Sequence, residues 1–482
     1  MRRAAASVAT AICMLAFPIR SVAQNEQPST VADRSRARIT GTLTLDEVLR
    51  SASESHPQIE GALARIDTAE GRSLEADGGF DPKARLGLSG LPVGEYTKGQ
   101  MHALIVQESP LWGARFHAGW RRGFGNFAVY DGDLETLNGG EFRAGVDLPL
   151  WRGGPIDRRR ADIAQADAGI DQTREALEAT RLVLANAAAS AYWSWVETGR
   201  QLTINEQLLE VAQQRVRGIE RQIEAGSLEP LVAIDNQRTV LDRQTKVIDA
   251  RRKLAQAAIK LSLFLRTPDG TPIRAGRDQL PPAFPEPEPP TIAALERDIR
   301  FAREQRPDLI ALRHLARQAS IELDLADTNV SPQVDLRAWV AQDVGSGRPE
   351  LEPLDIGLGV TVEIPLLLRQ DRGKYRQARG KLSELKAELR LAGDKIEAEV
   401  RSAYAALEAA YETVELASNA RIANERLATA ERRRLELGQS DILIVNLREL
   451  AAASAAAAEA SALAEYHRAR ASYVTAAGRA PR

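Results

Sequence analysis

The chain of 482 residues is poor in several kinds of residue that would carry chemistry. It has one cysteine, three methionines and five histidines, and aromatics make up 5%. Cys13 lies inside an N-terminal apolar run, so the rest of the chain has no disulfides and no lipid-bearing cysteine. So few soft or imidazole donors give no dedicated metal site. There is no phosphate-binding glycine loop ending in Lys-Ser or Lys-Thr, which excludes that route to nucleotide hydrolysis, and no His-Glu-x-x-His pair. A lone "SELK" at 383–386 lacks its partner motifs and sits in a helical heptad. After the N-terminus no segment holds eighteen consecutive apolar residues, so no transmembrane helix is expected. Lys and Arg number 64 against 66 Asp and Glu, a formal charge of −2, and that balance excludes a nucleic-acid binder by bulk charge. The expectation is a protein that is not an enzyme, with no cofactor, no metal and no nucleic-acid partner.

The chain is instead rich in alanine, leucine, arginine and glutamate, a profile of long packed helices. Its start, "MRRAAASVATAICMLAFPIRSVAQ", has Arg2 and Arg3, an apolar run from Ala4 to Phe17, and small residues at Ser21 and Ala23. This reads as a secretory signal over 1–23, cleaved after Ala23, followed by an N-terminal extension over 24–42. Loss of Arg2, Arg3 and Arg20 takes the formal charge three units down, from −2 to −5.

The remainder is written twice. Residues 52–88 match 302–338 at an offset of 250, with Pro57 on Pro307, Asp77 on Asp327 and Pro82 on Pro332. "VDLPLW" (146–151) meets "VEIPLL" (362–367) at an offset of 216, and "SAYWSWVE" (190–197) meets "SAYAALEA" (402–409) at 212, as Gly226 meets Gly438. The first copy therefore carries 34 extra residues between Pro82 and Pro149. The repeats span 43–268 and 291–477, separated by a Pro-rich linker over 269–290 that contains "PPAFPEPEPP", with a tail over 478–482.

Each copy reads as helix, strands, a very long helix, a glycine break and a medium helix. The long helices are expected over about 157–224 and 373–437, the returning ones over about 228–265 and 441–475. Ile163, Ile170, Leu177 and Leu184 are seven apart, as are Leu382, Leu389 and Ile396. So are Val240, Val247, Leu254 and Leu261 in a returning helix. A seven-residue seam marks coiled-coil packing, and a helix of that length spans on the order of 100 Å. A single helix over 43–77 and the returning helix together match the long one, so each copy forms antiparallel rods.

Between the helices the period changes from seven to two. Strands are expected over about 83–90, 141–148, 333–340 and 355–364, each with one apolar and one polar face. That fits a half-buried sheet or a barrel in lipid with a wet interior. Four strands cannot close a membrane barrel, and open edges in lipid leave backbone groups without partners. The chain must then assemble with copies of itself. The segment 91–139 stays open between a long outer loop and an added hairpin.

These features resemble the TolC-like outer-membrane efflux protein family, from "LTLDEVLRSASESHP" (43–57) to about 477. The marks are the duplicated "HP/RP" helix, "LPLW" and "IPLL" before the long helices, "SAY" in both copies and a glycine before each returning helix. The resemblance implies a mainly α fold with a small β part, two structural repeats per chain and a homotrimer. Twelve strands would form a barrel among outer-membrane lipid, continued by a long helical barrel in the periplasm. It also implies an exit duct of a tripartite efflux or type I secretion system. A periplasmic adaptor (membrane fusion) protein would dock on it, and an inner-membrane pump of the resistance-nodulation-division or ABC type would drive it. The docking tips carry over to Gly226, Ser227, Leu228, Gly438, Gln439 and Ser440. The pore-gate acids carry over to Glu229, Asp235 and Asp441, although Ile444 and Leu447 stand where carboxylates are expected. The competing reading is a periplasmic coiled-coil adaptor or scaffold without a pore, which would normally show one helical hairpin rather than two.

Overall fold

A computed structural model describes residues 41–128, 134–226 and 229–481. The signal segment 1–23 and most of the extension 24–42 lie outside the described residues. The chain opens with α1 (Leu45–Ser55) and α2 (Pro57–Asp77). Thr44 starts α1 through a capping box: its hydroxyl accepts from the Glu47 amide while its own amide donates to the Glu47 carboxylate. One helix over 43–77 was expected, and His56 breaks it. His56 is extended (φ −85, ψ 133) because Pro57 follows; a residue before proline is pushed out of the α region, and proline suits the first turn of the next helix. The same break at Arg306–Pro307 separates α5 (Ile292–Gln305) from α6 (Pro307–Asn329).

The strands are β1 (Lys83–Leu91), β2 (Lys98–Glu108), β3 (Arg115–Gly125), β4 (Glu141–Pro149), β5 (Gln333–Asp343) and β6 (Asp355–Glu363). They form one antiparallel sheet in chain order, β1-β2-β3-β4-β5-β6. Four strands per chain were expected, and twelve for three chains; six per chain corrects that count. The segment left open holds the hairpin β2–β3. Its alternation is masked in two ways. Ala103, Leu104, Ile105 and Val106 make β2 apolar on both faces, and Gly119 and Gly123 leave gaps in β3.

Two long helices follow the sheet's two descents. α3 (Arg158–Glu224) turns back into α4 (Pro230–Leu261), and α7 (Arg369–Glu436) turns back into α8 (Ile442–Ala476). Nearest the sheet the rods lie in the order α2, α3, α6, α7; at the far end they lie as α4, α3, α8, α7. One border of this helical layer is α2 and α4, the other is α7. The sheet has matching borders, since β1 follows α2 and β6 precedes α7.

The linker binds the middle of the rods. Leu280 packs over Gly199 of α3, Arg200 donates to the carbonyls of Pro281 and Pro282, and Tyr466 of α8 donates to the Glu288 carbonyl at 2.9 Å. Phe284 and Trp193 stack on the His467 ring, Trp193 with 4.3 Å between centroids.

Candidate functional site

The two turns at the far end of the rods open with the same glycine geometry. Gly226 and Gly438 both have φ +71, the left-handed conformation that ends a helix and that glycine adopts without strain. The Gly226 amide donates to the Ile223 carbonyl and the Gly438 amide to Leu435, both at 2.9 Å. Gln439 closes the second turn by donating to the Arg434 carbonyl at 2.8 Å. Ser440 donates its hydroxyl to Glu431 at 2.5 Å. Gly226, Gly438 and Gln439 are exposed, and Ser440 is half-buried. Ser227 and Leu228 lie outside the described residues.

The three expected acids stand at the starts of the returning helices, Glu229 and Asp441 at the N-caps and Asp235 in the second turn of α4. Glu229 is the N-cap residue of α4, exposed and making no side-chain cap bond. Asp235 is half-buried and pairs with Arg238 at 3.0 Å. Asp441 caps α8 by accepting from the Leu443 amide at 3.1 Å. Asp235 and Asp441 thus each hold a local partner.

A charged cluster that sequence reasoning missed lies further inside. Glu449 of α8 is 3% exposed and takes Arg215 of α3 at 2.6 Å, Arg432 of α7 at 3.2 Å and Arg243 of α4 at 3.5 Å. Arg215 also donates to Asn446 at 2.5 Å, and Arg243 to the Leu208 carbonyl at 2.8 Å. Burial pulls the Arg243 guanidinium below its ordinary pKa, against the pull of Glu449 upward. All four rods near the tips meet at this one carboxylate. No local motif signals it, because each residue alone reads as part of a solvated helix face.

At the other end the sheet has two unlike faces. Ala84, Ile105, Ala118, Ala144, Val340 and Ile356 lie opposite one another in a row across all six strands. Leu86, Leu88, Leu358 and Val360 extend this apolar face, with Leu86 82% exposed. The opposite face is wet chemistry. Glu141 accepts from Arg121 at 2.5 Å and from Arg143 at 2.8 Å, and the Arg143 guanidinium lies 4.2 Å from the Trp339 ring centre. Arg337 reaches Asp147 at 2.7 Å. Where this face meets the helices, Arg115, Arg152, Arg159 and Lys374 help line a cavity of about 960 Å³. An exposed oily face opposite a charged one is what a sheet between lipid and water requires. No described helix is long and apolar enough to cross a membrane, so the sheet is the element that fits one.

Comparison with known proteins agrees. The family model described as "Outer membrane efflux protein" matches residues 131–265 and 299–479. The chain therefore belongs to the outer membrane efflux protein family. It is an outer-membrane channel for efflux, a transport protein rather than an enzyme. Its fold is similar to that of the MtrE outer membrane channel of Neisseria gonorrhoeae (TM-score 0.65, 15% identity, covering 91% of this chain and 89% of that one). It is also similar to the outer membrane protein VceC of Vibrio cholerae (0.62, 15%, 91% and 97%) and the CmeC outer membrane channel of Campylobacter jejuni (0.61, 13%, 90% and 85%). No curated protein matches the sequence.

Proposed function

We propose that three chains close around one axis as a passive exit duct, with the sheets in the outer membrane and the rods in the periplasm. The observation that carries this is the coincidence of borders. β1 with α2 and α4 forms one open side, and β6 with α7 forms the other. A single chain leaves strand edges unpaired in lipid, where no water can satisfy them. It also leaves an open seven-residue seam, Ile234, Leu241 and Ile248 of α4, with Ile248 66% exposed. Joining β6 and α7 of one chain to β1, α2 and α4 of the next closes both gaps at once.

In this reading a periplasmic adaptor docks on the tips Gly226, Ser227, Leu228, Gly438, Gln439 and Ser440, and an inner-membrane pump drives the cargo. Glu229, Asp235 and Asp441, each repeated three times, ring the narrow end with negative charge. The test is the mass of the detergent-purified protein, followed by conductance in a planar bilayer. A trimer giving single-sized channel steps that change with Asp235→Ala or Asp441→Ala is the expected result. A monomer folded and stable in plain buffer would sink the proposal.

A further inference from the structure

We infer that residues 98–125 are an additional wall hairpin, so that three chains close an eighteen-stranded barrel. This rests on the trimer proposed above. Four features carry it. First, β2 and β3 are 11 residues each, the length that crosses a bilayer as a tilted strand; they pair with each other along their whole length, with β1 on residues 98–106 and with β4 on residues 115–121. Folding the hairpin out of the sheet would strip the inner edges of β1 and β4 of their partners, which lipid does not tolerate.

Second, the hairpin continues both faces. Ala103, Ile105, Ala118 and Trp120 extend the oily face, and Trp120 lies directly opposite Phe142 of β4. His102, His117 and Arg121 extend the wet face. His102 lies over Gly87 of β1 and His117 over Gly145 of β4, so the small residues on the flanking strands receive the hairpin's rings. Arg121 meets Glu141 of β4.

Third, the hairpin's turn repeats the motif that ends β4. "SPLWG" (109–113) parallels "LPLWR" (148–152), and "IPLLL" (364–368) follows β6. The first two turns sit side by side: the Trp112 ring lies against Gly154, and a Cβ on Gly113 would come within 2.6 Å of the Gly153 carbonyl. Leu111, Trp112, Trp151, Leu366 and Leu367 are all exposed there, Leu366 by 94%. Exposed Trp and Leu at one level make a membrane-interface belt. The hairpin therefore ends at the same depth as the strands that lead into the rods.

Fourth, the turn is fixed to the helical layer. Glu108 is 7% exposed and takes Arg115 at 3.0 Å and Arg159 of α3 at 2.9 Å. A loose surface insertion would not be held at its base by a buried carboxylate.

Barrel diameter grows roughly linearly with strand number, so eighteen strands widen the barrel about 1.5-fold over twelve, into the range that leaves an open aqueous channel. The outer-membrane section then offers little resistance, and the constriction falls to the rod tips. The test is the strand count in an electron cryomicroscopy map of the full chain in lipid nanodiscs. Eighteen strands around a three-fold axis is the expected result. Twelve strands around a three-fold axis overturns the inference and leaves the trimer standing, whereas a particle without that axis overturns the trimer and the count together. Single cysteines give a second readout in liposomes. His102→Cys and His117→Cys should react with a water-soluble thiol reagent, while Ala103→Cys and Ala118→Cys should not. Loss of that alternation overturns the inference even where the trimer is intact.

Discussion

The long helices α3 and α7 come from equivalent places in the two repeats and are 67 and 68 residues long, yet they have different surroundings. α3 has rods on both sides, α2 and α4 on one and α6 and α8 on the other. α7 has rods on one side only. Accordingly α3 buries Trp193, Trp195, Val196 and Leu202, while α7 leaves Leu391, Leu416 and Leu427 open. Duplication made two similar rods, and position in the layer made one an interior wall and the other a seam. The lesson is that exposed apolar side chains on the rods gather on the borders of the helical layer, where the proposed trimer would cover them, whereas those on the sheet face suit lipid.

The sharpest way to break that comparison uses two adjacent residues of α4. Val247 is 4% exposed and packs inside the protomer, while Ile248 is 66% exposed on the border. Val247→Asp places an unpaired charge in the core and should cost about 4 kcal/mol or more of stability. Ile248→Asp should leave helix content and protomer melting nearly unchanged but lose the trimer. Circular dichroism and mass in detergent separate the two; equal damage from both would mean that α4 has no free border.

A second contrast lies between Glu449 and its repeat partner, Gln237, 212 residues earlier and exposed. Glu449→Ala leaves three guanidiniums facing one another and should cost about 3 kcal/mol, as removing one partner of a buried ion pair does. Gln237→Ala should change stability by no more than about 0.5 kcal/mol. Thermal melting of the two variants checks the pair.

A third contrast is titratable. His467 of α8 stands where the first repeat has Ala255, because the linker crosses the rods once and only one returning helix has to hold it. His467 is 4% exposed. Burial, with a smaller contribution from Arg470, pushes its pKa down to about 4 from 6.5, although the Pro285 carbonyl pulls the other way. The unfolded chain therefore takes up a proton below pH 6.5 that the folded chain refuses until about pH 4. Stability from this site is whole above pH 6.5 and falls as the pH drops to 4, by about 3 kcal/mol. His467→Phe should remove that part of the acid loss. Melting of the variant and the parent protein at pH 7 and pH 4 gives the difference.

Much of this architecture could be read from residue spacing. Seven-residue seams gave the rods, and strict alternation gave β1, β4, β5 and β6. What escaped did so for physical reasons. β2 is apolar on both faces because Leu104 and Val106 lie on the charged face of the sheet, and β3 uses Gly119 and Gly123 where a Cβ would run into the carbonyls of Ala103 and Leu134. The breaks before Pro57 and Pro307 were passed over in favour of one continuous helix, although the prolines themselves signal them. The Glu449 cluster was not, because Arg215 and Glu449 are 234 positions apart and only the fold joins them. Of the acids expected at the gate, Asp441 could have been read as a helix cap, which is where the structure puts it.

The smallest effect is expected where the repeats are most alike. Gly226 and Gly438 share φ +71, and a Cβ built on either meets nothing within 4 Å. Alanine therefore clashes with no neighbour, and its cost is the left-handed backbone alone, about 1 kcal/mol at each tip. Equal losses in Gly226→Ala and Gly438→Ala sharpen the equivalence of the two turns, and a clearly larger loss at one would break it. Asparagine adopts the left-handed conformation more readily than alanine. If the glycines serve docking only by shaping the turn, Gly226→Asn and Gly438→Asn should keep adaptor cross-linking that the alanine variants weaken. Cross-linking lost equally with asparagine would mean that the partner reads the bare glycine backbone itself.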